Sequence, residues 1–397
     1  MKKNIFALLL VLVLSLFALT GCWDRNELNQ LGFATALGFD KTSDGKIMIT
    51  AQVLNPRAIA AQKTTNEAAV VVVTAQGDSI LQVLRSMSTE LSRKLVGTHM
   101  QTIVFGEAFA KEGIAEATDF LLRHYQTSSE LYFTVAKGTT ANKVLNNLTK
   151  LDNDPSAKIN SSIVISQQIW AETNEIKLTE LVNCIVNSGV NAVITGVEIK
   201  SDTPNSSLED LKKTQNDPIQ LSGNAIFKVD KLVGWLNEGE SQGCNYISGN
   251  IVSSAFVLEG KETGKITLNM KKGSAKQEIS MSGGTPKMKV KIEMLSTVQN
   301  IDGNFDITKQ ENLNKIQVLA EEKLKETCMT TVTKAKALKS DFLGFGDTLH
   351  RADPQLWKSL KSSWNDTGFV HLPVEIEADV KIIGTDSISQ SFLSKEE

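Results

Sequence analysis

The chain opens with an apolar run. Residues 5–19, fifteen positions in all, are hydrophobic except for Ser15. That is shorter than the ~20 residues a membrane-spanning helix requires. Further along, the pattern turns to alternation. Residues 32–40 read as a strand, Asp44-Gly45 as a hairpin turn, and residues 46–54 as the returning strand. The polar residues 64–67 suggest a loop. The β-branched run at 69–74 suggests a buried strand. Asp78 is placed to cap a helix, because its carboxylate can accept a backbone N–H of the first turn. Ile80, Leu84, Met87, Leu91 and Leu95 then recur at helical spacing. Strand signals return at 100–105 and 131–136. Helical signals fall on Ala110, Ile114, Ala117 and Leu121, and again over 140–148. This alternation predicts a mixed sheet with helices packed on it.

Asp152-Asn153-Asp154-Pro155 interrupts the pattern. Residues 156–170 and 178–187 read as helices, and 190–199 as a strand. Residues 201–217 hold Pro204, several Ser and Asn, and charges of both signs, which makes them the best linker. After Pro218 strands dominate. Residues 219–229 and 231–236 form an expected hairpin. Four more strands are expected at 249–258, 265–270, 277–281 and 287–298, with a tight turn at 300–306. A long helix is predicted from Thr308, because Leu313, Ile316, Ala320, Leu324, Cys328, Val332, Ala335 and Leu338 keep three- or four-residue spacing. At ~1.5 Å per residue it would run on the order of 40 Å, long enough to cover a sheet. Residues 369–383 close the chain as a strand.

The start of the chain changes this from a protein in solution to one at a surface. Lys2 and Lys3 precede the apolar run, and Leu19-Thr20-Gly21-Cys22 ends it. A positive start, a short apolar stretch and small residues are the features of a secretory signal. The ending resembles the lipobox of bacterial lipoproteins, which implies cleavage after Gly21 and a diacylglyceryl group on the Cys22 thiol. Two acyl chains hold a protein firmly on a membrane, whereas one binds marginally. Trp23 beside that cysteine suits the headgroup region, with an apolar body and a polar N–H. The alternative is an uncleaved anchor or a signal with an incidental cysteine.

Cleavage before Cys22 leaves 376 of the 397 residues, enough for two or three domains. The expected division is a signal peptide at 1–21, an N-terminal domain at 22–200 with room for two subdomains, the linker at 201–217, and a C-terminal domain at 218–397. The fold class is α+β. The first domain is a mixed sheet with helices, the second a largely antiparallel sheet packed by the long helix. The full chain carries 42 basic and 45 acidic residues, a net charge of −3. That gives no general attraction to nucleic acid. Cys184, Cys244 and Cys328 are far apart and fit no zinc or redox spacing.

Candidate chemistry is sparse. The four histidines are His99, His124, His350 and His371, and none pairs with Cys, His or carboxylate at metal-ligand spacing. No phosphate loop, dinucleotide fingerprint, nucleophile elbow or zinc-protease helix is present, so no catalytic residue, cofactor or metal is expected. Lys287, Lys289 and Lys291 share one face of a strand. They form either a solvated face, which is the commoner case, or a basic stripe for an anionic lipid or acidic partner. Trp357, Leu360 and Trp364 share one face of a short helix after Asp353-Pro354. Core packing is the default there, and an aromatic binding anchor is the alternative.

Several segments together resemble the C subunit of spore-germination nutrient receptors, the Ger(x)C lipoprotein family. They are Gly21-Cys22-Trp23-Asp24 with Glu27-Leu28, and Ala36-Leu37-Gly38-Phe39-Asp40. Asp217-Pro218, Leu221-Ser222-Gly223-Asn224-Ala225-Ile226-Phe227 and Leu232-Val233-Gly234-Trp235-Leu236 follow. Asp341-Phe342-Leu343-Gly344-Phe345-Gly346 comes late, then His350-Arg351 with Trp357 and Trp364. The resemblance implies a non-enzymatic subunit, anchored by lipid to the outer face of the spore's inner membrane. It also implies integral-membrane A and B subunits as partners, with the B subunit as the expected nutrient sensor. Only Cys22 carries over as a site, for lipid. Direct small-molecule binding is left open, and two rival readings remain. One is an extracytoplasmic solute-binding lipoprotein, which the strand-rich second half argues against. The other is a hydrolase acting on wall material, for which no focused carboxylate pair is visible.

Overall fold

The computed structural model describes residues 4–6, 27–60, 68–124, 130–150, 152, 154–200, 207, 209, 218–260, 264–283, 285–301 and 305–385. Cys22, Trp23, the loop expected at 64–67 and nearly all of the linker at 201–217 lie outside these residues.

The first sheet is built around β1 (Leu31–Lys41), which is buried along most of its length. β2 (Ile47–Leu54) returns antiparallel through Gly45, whose φ of 83° suits a residue without Cβ. β3 (Val70–Gly77) pairs with β2 and ends the sheet. It was expected to be a buried strand; as an edge it leaves Val71 half exposed. Helix α1 (Ile80–Ser86) is capped by Ser79, whose Oγ accepts the Gln82 N–H, and not by Asp78. The helix also stops earlier than the apolar spacing predicts. The hydroxyls of Ser86, Ser88 and Thr89 donate to carbonyls three residues back and divert the backbone. Leu95 therefore sits on a short strand, β4 (Lys94–Val96), parallel to the start of β1.

β5 (Thr102–Gly106), β6 (Tyr132–Ala136) and β7 (Val193–Ile199) continue the sheet in parallel from β1. The stripe of Ala110, Ile114, Ala117 and Leu121 is fully buried, but it spans two helices, α2 (Glu107–Glu112) and α3 (Ala115–Arg123). Gly113 separates them at a φ of 140°. Helices α4 (Ala141–Leu145), α5 (Pro155–Ile169) and α6 (Leu178–Val186) complete the layers. Alternation along β1 sends Leu37 and Phe39 to a core shared with α1, α2, α3 and α6. It sends Ala36 to the opposite core, shared with α4 and α5.

β8 (Ile219–Lys228) and β9 (Lys231–Leu236) form the expected hairpin. β8 pairs antiparallel with β7, so this hairpin completes the first sheet although it follows the linker expected at 201–217. The second sheet runs β10 (Ser253–Gly260), β11 (Gly264–Ser282), β12 (Thr285–Ile301) and β13 (Val374–Thr385). Its first three strands are antiparallel, and β13 joins β12 in parallel. The two strands expected at 265–270 and 277–281 are one strand with an irregular register at Lys271–Gly273. Sequence reading missed helix α7 (Glu238–Ser248) altogether. The long helix α8 (Gln310–Ala337) covers the sheet, burying Ile316, Ala320, Leu324, Cys328, Val332 and Ala335.

Candidate functional site

The second half docks on the first through residues 340–347. Ser340 Oγ donates to the Phe227 carbonyl at 2.6 Å, and Asn191 N donates to the Asp341 carbonyl at 2.9 Å. The Asn365 carboxamide oxygen receives both Asp341 N (2.8 Å) and Asn191 Nδ2 (2.9 Å). Asn191 Oδ1 accepts Val229 N at 3.0 Å, closing a polar knot across β7, β8 and the segment after α8. Beside it, Asn187 Nδ2 donates to Asp347 Oδ1 at 2.8 Å, and Asp347 N donates to the Gly189 carbonyl at 3.1 Å. Lys228 pairs with Asp366 at 2.8 Å on the outer rim.

Asp341 is the centre of this joint. It is wholly buried, and its carboxylate accepts Phe345 N (3.1 Å), Gly346 N (2.7 Å) and Trp364 Nε1 (2.8 Å). Burial pushes its pKa up to about 6, against the lowering effect of those donors. Gly346 lets the chains approach. A Cβ there would meet Trp364 Nε1 at 2.6 Å and Gly189 Cα at 2.9 Å. Helix α9 (Phe345–Ala352) starts from this turn, and α10 (Pro354–Leu360), capped by Asp353, carries Trp357.

Trp357 and Trp364 are 4% and 1% exposed, stacked edge to face at 5.4 Å. They pack in the core of the second sheet, so neither is available as the surface anchor considered from the sequence. The lysine stripe is a neutralised ladder. Lys287 pairs with Glu375 at 2.6 Å, Lys289 with Glu377 at 2.7 Å and Lys291 with Glu293 at 2.8 Å. Side chains from β12 and β13 thus cancel the charge that the sequence spacing suggested, and no basic stripe is left.

Asp341 is enclosed by its three donors. Burial raises the Cys184 thiol to about 11, the Cys244 thiol to about 12 and the Cys328 thiol still higher, which makes them poor nucleophiles at neutral pH. Among the described residues, no group of His, Cys, Asp and Glu is placed to hold a metal ion.

Two family models match the chain in order. "Spore germination protein N-terminal domain" covers residues 24–199, and "Spore germination B3/GerAC like, C-terminal" covers residues 222–386. The chain belongs to this spore germination family. Spore germination protein KC of Bacillus subtilis (strain 168) is 28% identical over 393 residues, spanning 96% of this chain and 95% of its own. Spore germination protein B3 of the same organism is 24% identical over 396 residues, spanning 96% and 98%. The crystal structure of the GerBC protein superposes with a TM-score of 0.53 at 20% identity, covering 91% of this chain and all of that one. It shares the fold. In this family member, the joint links the segment matched by the first model to that matched by the second: Asn187, Gly189 and Asn191 belong to one, Phe227 and Asp341 to the other.

Proposed function

We propose that the chain is the lipid-anchored C-type subunit of a nutrient germinant receptor, held at the spore inner membrane through Cys22 and assembled with A and B membrane subunits. The observation that carries this reading is the match of both family models, in order, behind a leader that ends in Cys22. The relatives are named for spore germination, and neither name describes an enzyme. Among the described residues no helix is long and apolar enough to cross a membrane. A lipid on Cys22 would supply an attachment to the membrane. The body then acts as a scaffold, relaying nutrient binding in its partners to the later steps of germination.

The test is copurification from spore membranes, with Cys22→Ala as the control, alongside nutrient-triggered germination of a deletion strain. The expected result is recovery of A and B subunits with the wild-type chain, release of Cys22→Ala from the membrane, and loss of the nutrient response on deletion. Intact germination without the chain, together with no partner recovered, overturns the reading.

A further inference from the structure

We propose that a groove at the β4 end of the first sheet binds the acyl chain of an anionic membrane phospholipid, with the phosphodiester against Arg85, Arg93 and Lys94. The cavity is about 760 Å³. That lies inside the ~300–1,000 Å³ range of small-ligand pockets. Leu37 and Met100 form its buried floor, and Leu84 and Phe120 its half-buried walls. The interior therefore offers apolar surface and little to orient a polar solute.

The rim is charged with one sign. Arg85, Arg93 and Lys94 line the opening, and among the described residues no carboxylate does. Among the described residues none of the three forms an ion pair; Arg93 makes only a long contact of 3.5 Å to the Leu31 carbonyl. These cations differ from Lys287, Lys289 and Lys291, each of which has a carboxylate within reach. An apolar slot beneath an uncompensated cationic rim matches a ligand with a long tail and a single negative head.

Position supports a lipid in the bilayer as the source. β4 pairs with β1 at Leu31–Phe33, so the groove lies at the end where the chain enters the fold. Leu31 is nine residues after Cys22. At ~3.3–3.6 Å per residue, an extended tether reaches about 30 Å. The tether depends on the lipid-anchored reading; the apolar slot and its charged rim do not.

The experiment uses the full chain carrying Cys22→Ala, so that no tether contributes. Calorimetry is run with monomeric dioctanoyl phosphatidylglycerol, dioctanoyl phosphatidylcholine and glycerol phosphate. Saturable 1:1 binding of the phosphatidylglycerol is expected, about 10-fold tighter than the phosphatidylcholine and at least 10-fold tighter than the tail-less phosphate. Arg85→Glu with Lys94→Glu, both exposed, should remove that 10-fold preference without changing the phosphatidylcholine. Leu84→Trp, which fills the slot, should abolish binding of both lipids. The proposal falls if phosphatidylglycerol does not saturate, if glycerol phosphate binds as well, or if the charge reversal has no effect. None of these results depends on partner copurification, so the groove and the receptor reading can fail separately.

Discussion

At the scale of single residues, the joint depends on a buried carboxylate. Burial raises the Asp341 pKa to about 6 in the folded chain, against an ordinary value of 3.8. Between these values the native state holds a proton that the unfolded chain has released, so stability falls as pH rises through the window. A gap of that width corresponds to about 3 kcal/mol. Asp341→Asn cannot titrate. Urea unfolding should show that the stability difference between wild type and Asp341→Asn moves by about 2 kcal/mol in favour of the variant from pH 4, already inside the window, to pH 7. A pH-independent difference would refute the assignment. The motif around Asp341 was legible as a resemblance, but its role was not. Its hydrogen-bond partner Asn191 lies 150 positions upstream, and apolar periodicity carries no information about polar contacts at that separation.

At the scale of elements, periodicity served well where one face is apolar. It located α8 and its buried stripe, and the parallel strands β1, β5, β6 and β7, but not β4. It failed at α7, which buries Ser241, Gln242 and Asn245 beside Tyr246 and Ile247. Two of those polar side chains find partners outside the helix: Gln242 Nε2 donates to the Trp170 carbonyl, and Asn245 Nδ2 to those of Ala171 and Thr173. The readable signal was the cap, where Asn237 and Glu240 exchange hydrogen bonds at 2.9 Å each. Gly243 lets α7 press on α8, because a Cβ there would strike Thr331 Oγ1 and sit 2.9 Å from the Thr327 carbonyl. Gly243→Ala should therefore cost about 1–3 kcal/mol, despite the helix propensity of alanine. Chemical denaturation checks this; an unchanged midpoint would show that the helices separate freely. The ladder on β12 and β13 predicts the opposite outcome. Lys289→Ala and Lys291→Ala remove exposed pairs that are screened by water. Their melting temperatures should match wild type, and a clear drop would mean that the ladder holds the sheet together.

At the scale of the whole molecule, the family-model boundaries and the sheet boundaries differ. The first model ends at residue 199 and the second begins at 222, yet β8 completes the sheet begun by β1. The change of composition over residues 201–217 was legible in the sequence. The pairing across it was not, because a hairpin sequence does not say which edge it will join. Cleavage at a protease site inserted between residues 201 and 217 should leave two fragments that elute together in gel filtration. The β7–β8 ladder and the Asn191–Asp341 contact both bridge the cut. Separation of the fragments under native conditions would show that these contacts are too weak to unite the halves.

The same β7–β8 pairing bears on how the chain matures. Synthesis delivers β1 to β7 first, but the edge of β7 remains open until residues 219–228 have emerged. An open edge is a template for unwanted pairing. The knot at Asn191 then has to wait for Asp341, much later in the chain. Folding of the N-terminal half is therefore finished by its C-terminal neighbour, and a chain truncated after residue 200 would be born with an aggregation-prone flank.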